Sequence, residues 1–198
     1  MALLIFFPGS VNLFAQSPEL TDISQPDPNR VYRNMKEALL FPDDVYFLDL
    51  SRRKYDSIPS AIFRFKNLRE LNLSRNKLEF IPSEISSLKN LEKLDLSNNK
   101  LVTLPDEIGL LKKLVYLGLN RNVIDSLPPG IGGLENLEVL ELWDNELRDV
   151  PEEISELKKL KILELRGILF SDEQQTRIDE LVVKSAKIHM SPSCHCDY

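Results

Sequence analysis

Leucines fall along most of this chain in a pattern that repeats. In 68–90 (LRELNLSRNKLEFIPSEISSLKN) apolar residues first alternate, Leu68, Leu71, Leu73, and then spread to wider spacing through Leu78, Ile81, Ile85 and Leu88. The same order recurs at a step of 23 residues, opening at Leu91, Leu114 and Leu137, with weaker copies at Val45 and Leu160. Alternation predicts a short strand with every second side chain inward. The inward pairs are Leu71 and Leu73, Leu94 and Leu96, Leu117 and Leu119, and Leu140 and Leu142.

Each copy then carries a proline: Pro59, Pro82, Pro105, Pro128 and Pro151. Proline lacks an N–H and fixes φ, so this half of the unit cannot join a central ladder. It predicts an extended run along the far side, leading to a short helical turn that buries Ile62, Ile85, Ile108, Ile131 or Ile154. Between the halves stand Asn76, Asn99, Asn122 and Asn145, where the chain turns and buried backbone groups need partners.

The shared pattern, L-x-x-L-x-L-x-x-N-x-L-x-x-[LIV]-P-x-x-I-x-x-L-x-x, resembles the leucine-rich repeat family in its 23-residue form. The resemblance implies an α/β fold: a curved solenoid of about six repeats over 45–170, with a parallel concave sheet and a helical cap at each end. It also implies that the four asparagines form a structural hydrogen-bonded ladder. The L-P-x-x-I variant is shared by the intracellular Ras-group scaffolds and by many exported bacterial members. For this chain it implies a non-catalytic module that binds a protein or peptide through its concave face.

The flanks differ from the repeats. Residues 1–15 (MALLIFFPGSVNLFA) are apolar and uncharged, matching the core of a secretory signal with Ala15 at the cleavage position. The alternative is an apolar terminus on a cytoplasmic protein; the run is too short to span a bilayer. Residues 16–29 are proline-rich and acidic, hence a linker. In 30–44, Val31, Met35, Ala38 and Leu39 share helical spacing and Pro42 ends the run, which predicts a helix over the front of the stack. Behind the repeats, Ser171 and Gln174 form a capping-box pattern ahead of Ile178, Leu181 and Val182, predicting a cap over 171–190 with a last strand at Ile188 and Met190. A loose tail, 191–198, closes the chain.

Charge and chemistry change this picture little. A net charge of −6 argues against a nucleic-acid surface. His189 and His195 both lie beyond the repeats, and no glycine-rich phosphate loop, nucleophile elbow or metalloprotease motif occurs, so no enzyme and no cofactor are expected. Cys194, His195 and Cys196 are the one metal-like grouping, too few for a structural zinc site, and no metal is expected.

The residues flanking the inward leucines are set to face outward. The central column carries Asp49, Asp95, Glu141 and Glu164, and the margin carries Arg52, Arg75 and Arg121. Tyr116, Val139, Trp143 and Ile162 gather on three neighbouring strands with Arg121 and Arg166 beside them. Aromatic anchors in an apolar patch with an arginine rim are the make-up of an interaction hot spot. This patch is the expected binding site, on a chain expected to act as a monomer.

Overall fold

The computed structural model describes residues 27–192. The signal-like run 1–15, most of the linker and the Cys194–His195–Cys196 grouping lie outside the described residues. One parallel sheet of eight strands runs in chain order. Its strands are β1 (Val31–Tyr32), β2 (Phe47–Asp49), β3 (Glu70–Asn72), β4 (Lys93–Asp95), β5 (Tyr116–Gly118), β6 (Val139–Glu141), β7 (Ile162–Leu165) and β8 (Lys187–Met190). The sequence period becomes a register in which Phe47, Glu70, Lys93, Tyr116, Val139 and Ile162 stand side by side.

Opposite the strands, 3₁₀ segments occupy the expected proline-led positions at Ser60–Arg64, Ser83–Ser87, Asp106–Leu110, Pro129–Gly133 and Glu152–Glu156. Each buries its isoleucine, Ile62, Ile85, Ile108, Ile131 or Ile154. Strands are thinner than 3₁₀ turns, so the stack curves with the sheet inside.

Each asparagine at the turn stitches its own repeat to the one before. Asn99 donates from Nδ2 to Leu73 O (3.1 Å) and Leu96 O (2.9 Å), and its Oδ1 accepts the Leu78 amide at 3.1 Å. Asn122 and Asn145 repeat this with Leu96, Leu119 and Leu101, and with Leu119, Leu142 and Ile124. Asn76 accepts instead from the amides of Arg53 and Tyr55. A second series runs along the outer arc. Asn67, Asn90 and Asn136 donate to the carbonyls of Asp43, Lys66 and Lys112. Where that position is lysine, Lys113 and Lys159 donate to the asparagine before them, Asn90 at 2.8 Å and Asn136 at 2.5 Å.

The front of the stack departs from the predicted helix. Val31 and Tyr32 form a strand on β2, and the helix α1 covers only Met35–Ala38. Asn34 explains the start: its Oδ1 accepts the Glu37 amide at 2.9 Å, capping a helix that cannot reach back to Val31. Strand pairing satisfies the backbone groups β2 would otherwise leave unpaired. At the back, α2 (Asp172–Leu181) begins at a capping box between Ser171 and Gln174, and buries Ile178 while Val182 follows it into the core. Gln174 and Arg177 tie α2 to the Arg148 and Val150 carbonyls of the fifth repeat.

Candidate functional site

Register places the centre of the concave face first. Asp49, Asn72, Asp95, Gly118, Glu141, Glu164 and His189 form one row. His189 lies on the last strand, at the place expected from Ile188 and Met190, and contacts the Glu164 carboxylate. The acids are held locally. Asp49 and Asp95 accept the amides of Ser51 and Ser97 two residues on, and Glu164 accepts Arg166 Nε at 2.9 Å.

Tyr116 crosses this row. Its hydroxyl donates to Glu141 Oε2 at 3.0 Å, and a Cβ on Gly118 would lie 2.7 Å from that hydroxyl. The ring thus lies over Gly118, which is why glycine stands there. Burial, then the negative charges of Glu141 and Asp95, hold the Tyr116 phenol well above the usual tyrosine range.

The candidate residues form two groups. Tyr116, Val139 and Ile162 are register partners on β5, β6 and β7, giving a continuous, partly buried apolar step. Trp143 stands apart, across the Glu141 and Glu164 row. The Arg121 guanidinium covers its ring at 4.7 Å from the centroid and is paired with Asp144 at 3.5 Å. Trp143, Asp144 and Arg166 line an open cleft of about 330 Å³.

Two expectations about this face change. Ser74, Ser97 and Asn120, in the column set to face outward, are buried, so in mid-stack that column belongs to the turn. The margin column is also constrained: Arg52, Arg75, Asn98, Arg121, Asp144 and Gly167 all have φ between 54° and 77°. This is the left-handed region, which costs a residue such as arginine on the order of 1–2 kcal/mol. Asn98, Asp144 and Gly167, residues that tolerate it, were the signal in the sequence.

The sequence reading also missed a depression of about 260 Å³ at the front of the face, walled by Phe47, Asp49, Asn72, Lys93, Asp95 and Tyr116. Lys93 is paired with Glu70 at 2.7 Å. Among the described residues no three His, Cys, Asp or Glu side chains converge as a metal site, and no helix is long and apolar enough to cross a membrane. What the face offers is shape, charge and two aromatic surfaces.

The same architecture is found in known proteins. The family model described as a leucine-rich repeat region matches residues 46–189. The chain belongs to the leucine-rich repeat family. Among solved structures, a leucine-rich repeat protein of Leptospira interrogans shares 34% identity at a TM-score of 0.63, covering 83% of this chain and 49% of that one. An internalin from Listeria monocytogenes shares the fold at 17% identity and a TM-score of 0.60, covering 83% of this chain and 54% of that one. This leucine-rich repeat chain thus spans about half the length of either. Nothing among curated proteins matches it.

Proposed function

We propose that this chain is a non-catalytic protein-binding module whose partner, a protein or peptide, docks on the concave face against Tyr116, Val139, Trp143 and Ile162, with Arg121 and Arg166 at the rim. The Trp143 arrangement carries the reading: Arg121 stacks on the ring, and Trp143 lines an open cleft with Asp144 and Arg166. A large aromatic surface held in place by a cation is preorganised, so a partner orders little on docking. The local satisfaction of the central carboxylates supports a binding role over a proton-transfer role.

The test is a paired capture from the source cells, with the wild-type chain and a Tyr116→Ala, Trp143→Ala variant as baits, after matching their thermal unfolding. A protein held by the first and lost from the second supports the reading. Equal capture by both overturns it.

We further propose that the module is exported, on the strength of the uncharged apolar run 1–15. The chain recovered from source cells then begins at or near Gln16, as read by mass spectrometry. Recovery with Met1 retained in the cytosolic fraction overturns export and favours the intracellular scaffold.

A further inference from the structure

We propose that the rim beyond the strand ends, over the first three repeats, docks a short acidic segment of a protein partner. Six cations line it: Arg52, Arg53 and Lys54 in the first repeat, Arg75 and Lys77 in the second, and Lys100 in the third. All six are exposed, on a chain whose net charge is −6. None takes part in an ion pair among the described residues, although eight other basic side chains do, if Arg121 is counted and His189 is not. On the concave side, the row Ser51, Ser74 and Ser97 separates them from the acids of the sheet centre; on the outer side the nearest acids in sequence are Asp56 and Glu79.

The backbone adds an independent observation. Arg52, Lys54 and Arg75 hold φ of 58°, 63° and 57°, where asparagine, aspartate or glycine is less strained. In the fifth and sixth repeats the margin position is Asp144 and Gly167. Three of the four large cations at strained positions stand at this end of the stack, and the fourth, Arg121, is taken up by Asp144 and Trp143. Cations held against local preference without such partners point to a role outside the fold.

The stripe is short, and this chooses between anionic partners. Lys54, Lys77 and Lys100 span two strand steps, about 10 Å, which an extended peptide covers in three or four residues at about 3.3 Å each. A long polyanion continuing along the stack meets Asp144 and Glu146, which occupy the equivalent positions in the fifth repeat. An acidic peptide of a few residues ends before that reversal; a sulfated polysaccharide or a nucleic acid does not.

The experiment uses the full chain and a capped, fluorescein-labelled pentaglutamate peptide, read by anisotropy at low salt. The variant Arg52→Asn, Arg75→Asn, Lys77→Gln removes three charges from the rim, and asparagine suits the two left-handed positions, so folding is preserved. A control, Lys89→Gln, Lys158→Gln, Lys184→Gln, removes three exposed charges elsewhere. The expected result is binding by wild type and control, and at least tenfold weaker binding by the rim variant with an unchanged or raised unfolding midpoint. Equal weakening in the control, no change in the rim variant, or no binding by wild type overturns the proposal. So does tighter binding of long-chain heparin than of the peptide, which would assign the rim to a polysaccharide. No substituted residue belongs to the concave patch, so failure here leaves that reading standing.

Discussion

The Tyr116 hydroxyl and the Glu141 carboxylate are joined at 3.0 Å across the boundary between β5 and β6, with the ring laid over Gly118. This one contact fixes an aromatic surface in the middle of an acidic row. It also makes Tyr116 a titration reporter for the concave face.

The unfolded chain releases its tyrosine protons near pH 10. Tyr116 in the folded chain holds its proton well above that, because of burial first and the charges of Glu141 and Asp95 second. The contribution to stability is therefore complete below about pH 10 and declines as pH rises beyond it. Glu141→Gln should lower the Tyr116 pKa part-way, since burial remains. Tyrosinate absorbance across an alkaline titration checks both; an unchanged curve would show that Glu141 does not act on Tyr116.

The inner and outer asparagine series should differ in worth. Asn99→Ala strips three backbone groups of their partner and should cost about 3 kcal/mol. Asn90→Ala, at the exposed outer arc, should cost under about 1 kcal/mol. Urea unfolding midpoints at constant slope make the comparison.

Glycines at two sites should respond to different degrees. A Cβ on Gly130 would lie 2.1 Å from Asp106 O, a backbone atom that cannot swing aside, so Gly130→Ala should cost about 3 kcal/mol or more. At Gly118 the obstacle is the end of the Tyr116 side chain, so Gly118→Ala should cost about 1 kcal/mol while releasing Tyr116 from Glu141. Thermal unfolding of the two variants gives the order.

Trp143 is the only tryptophan, so its fluorescence reports the Arg121 stack directly. Arg121→Gln should shift emission to longer wavelength and increase acrylamide quenching, with stability changed by no more than about 1 kcal/mol. An unaltered spectrum would mean that the guanidinium does not shield the ring in solution.

Arg75→Asn should raise the unfolding midpoint, by on the order of 0.5–1 kcal/mol, because asparagine enters the left-handed region at lower cost. A fall would show that the Arg75 side chain stabilises the rim more than its backbone strains it.

The core was legible because each buried leucine recurs at one step, and an error in one copy is corrected by the next. The ends have no second copy. Val31 shares helical spacing with Met35 and Ala38, and only the cap at Asn34 separates them. The last strand was legible in the alternation of Ile188 and Met190, but not that its pairing with β7 would set His189 beside Glu164. Trp143, Tyr116 and Ile162 could be assigned to the face from alternation alone. That Tyr116 would bend over Gly118, and that Arg121 would cover Trp143, depended on which neighbours left room.

Gly109, Gly130 and Gly133 bring the outer segments of the third and fourth repeats into backbone contact, so that a Cβ on Gly109 would lie 2.0 Å from Gly130 O. An arc bends because its outer circumference is longer than its inner one. Where the outer steps shorten to the limit set by bare backbone, the bend relaxes. At the step between β4 and β5 no side chain stands between Gly109 and Gly130, so a larger residue at either would push the outer segments apart and tighten the bend.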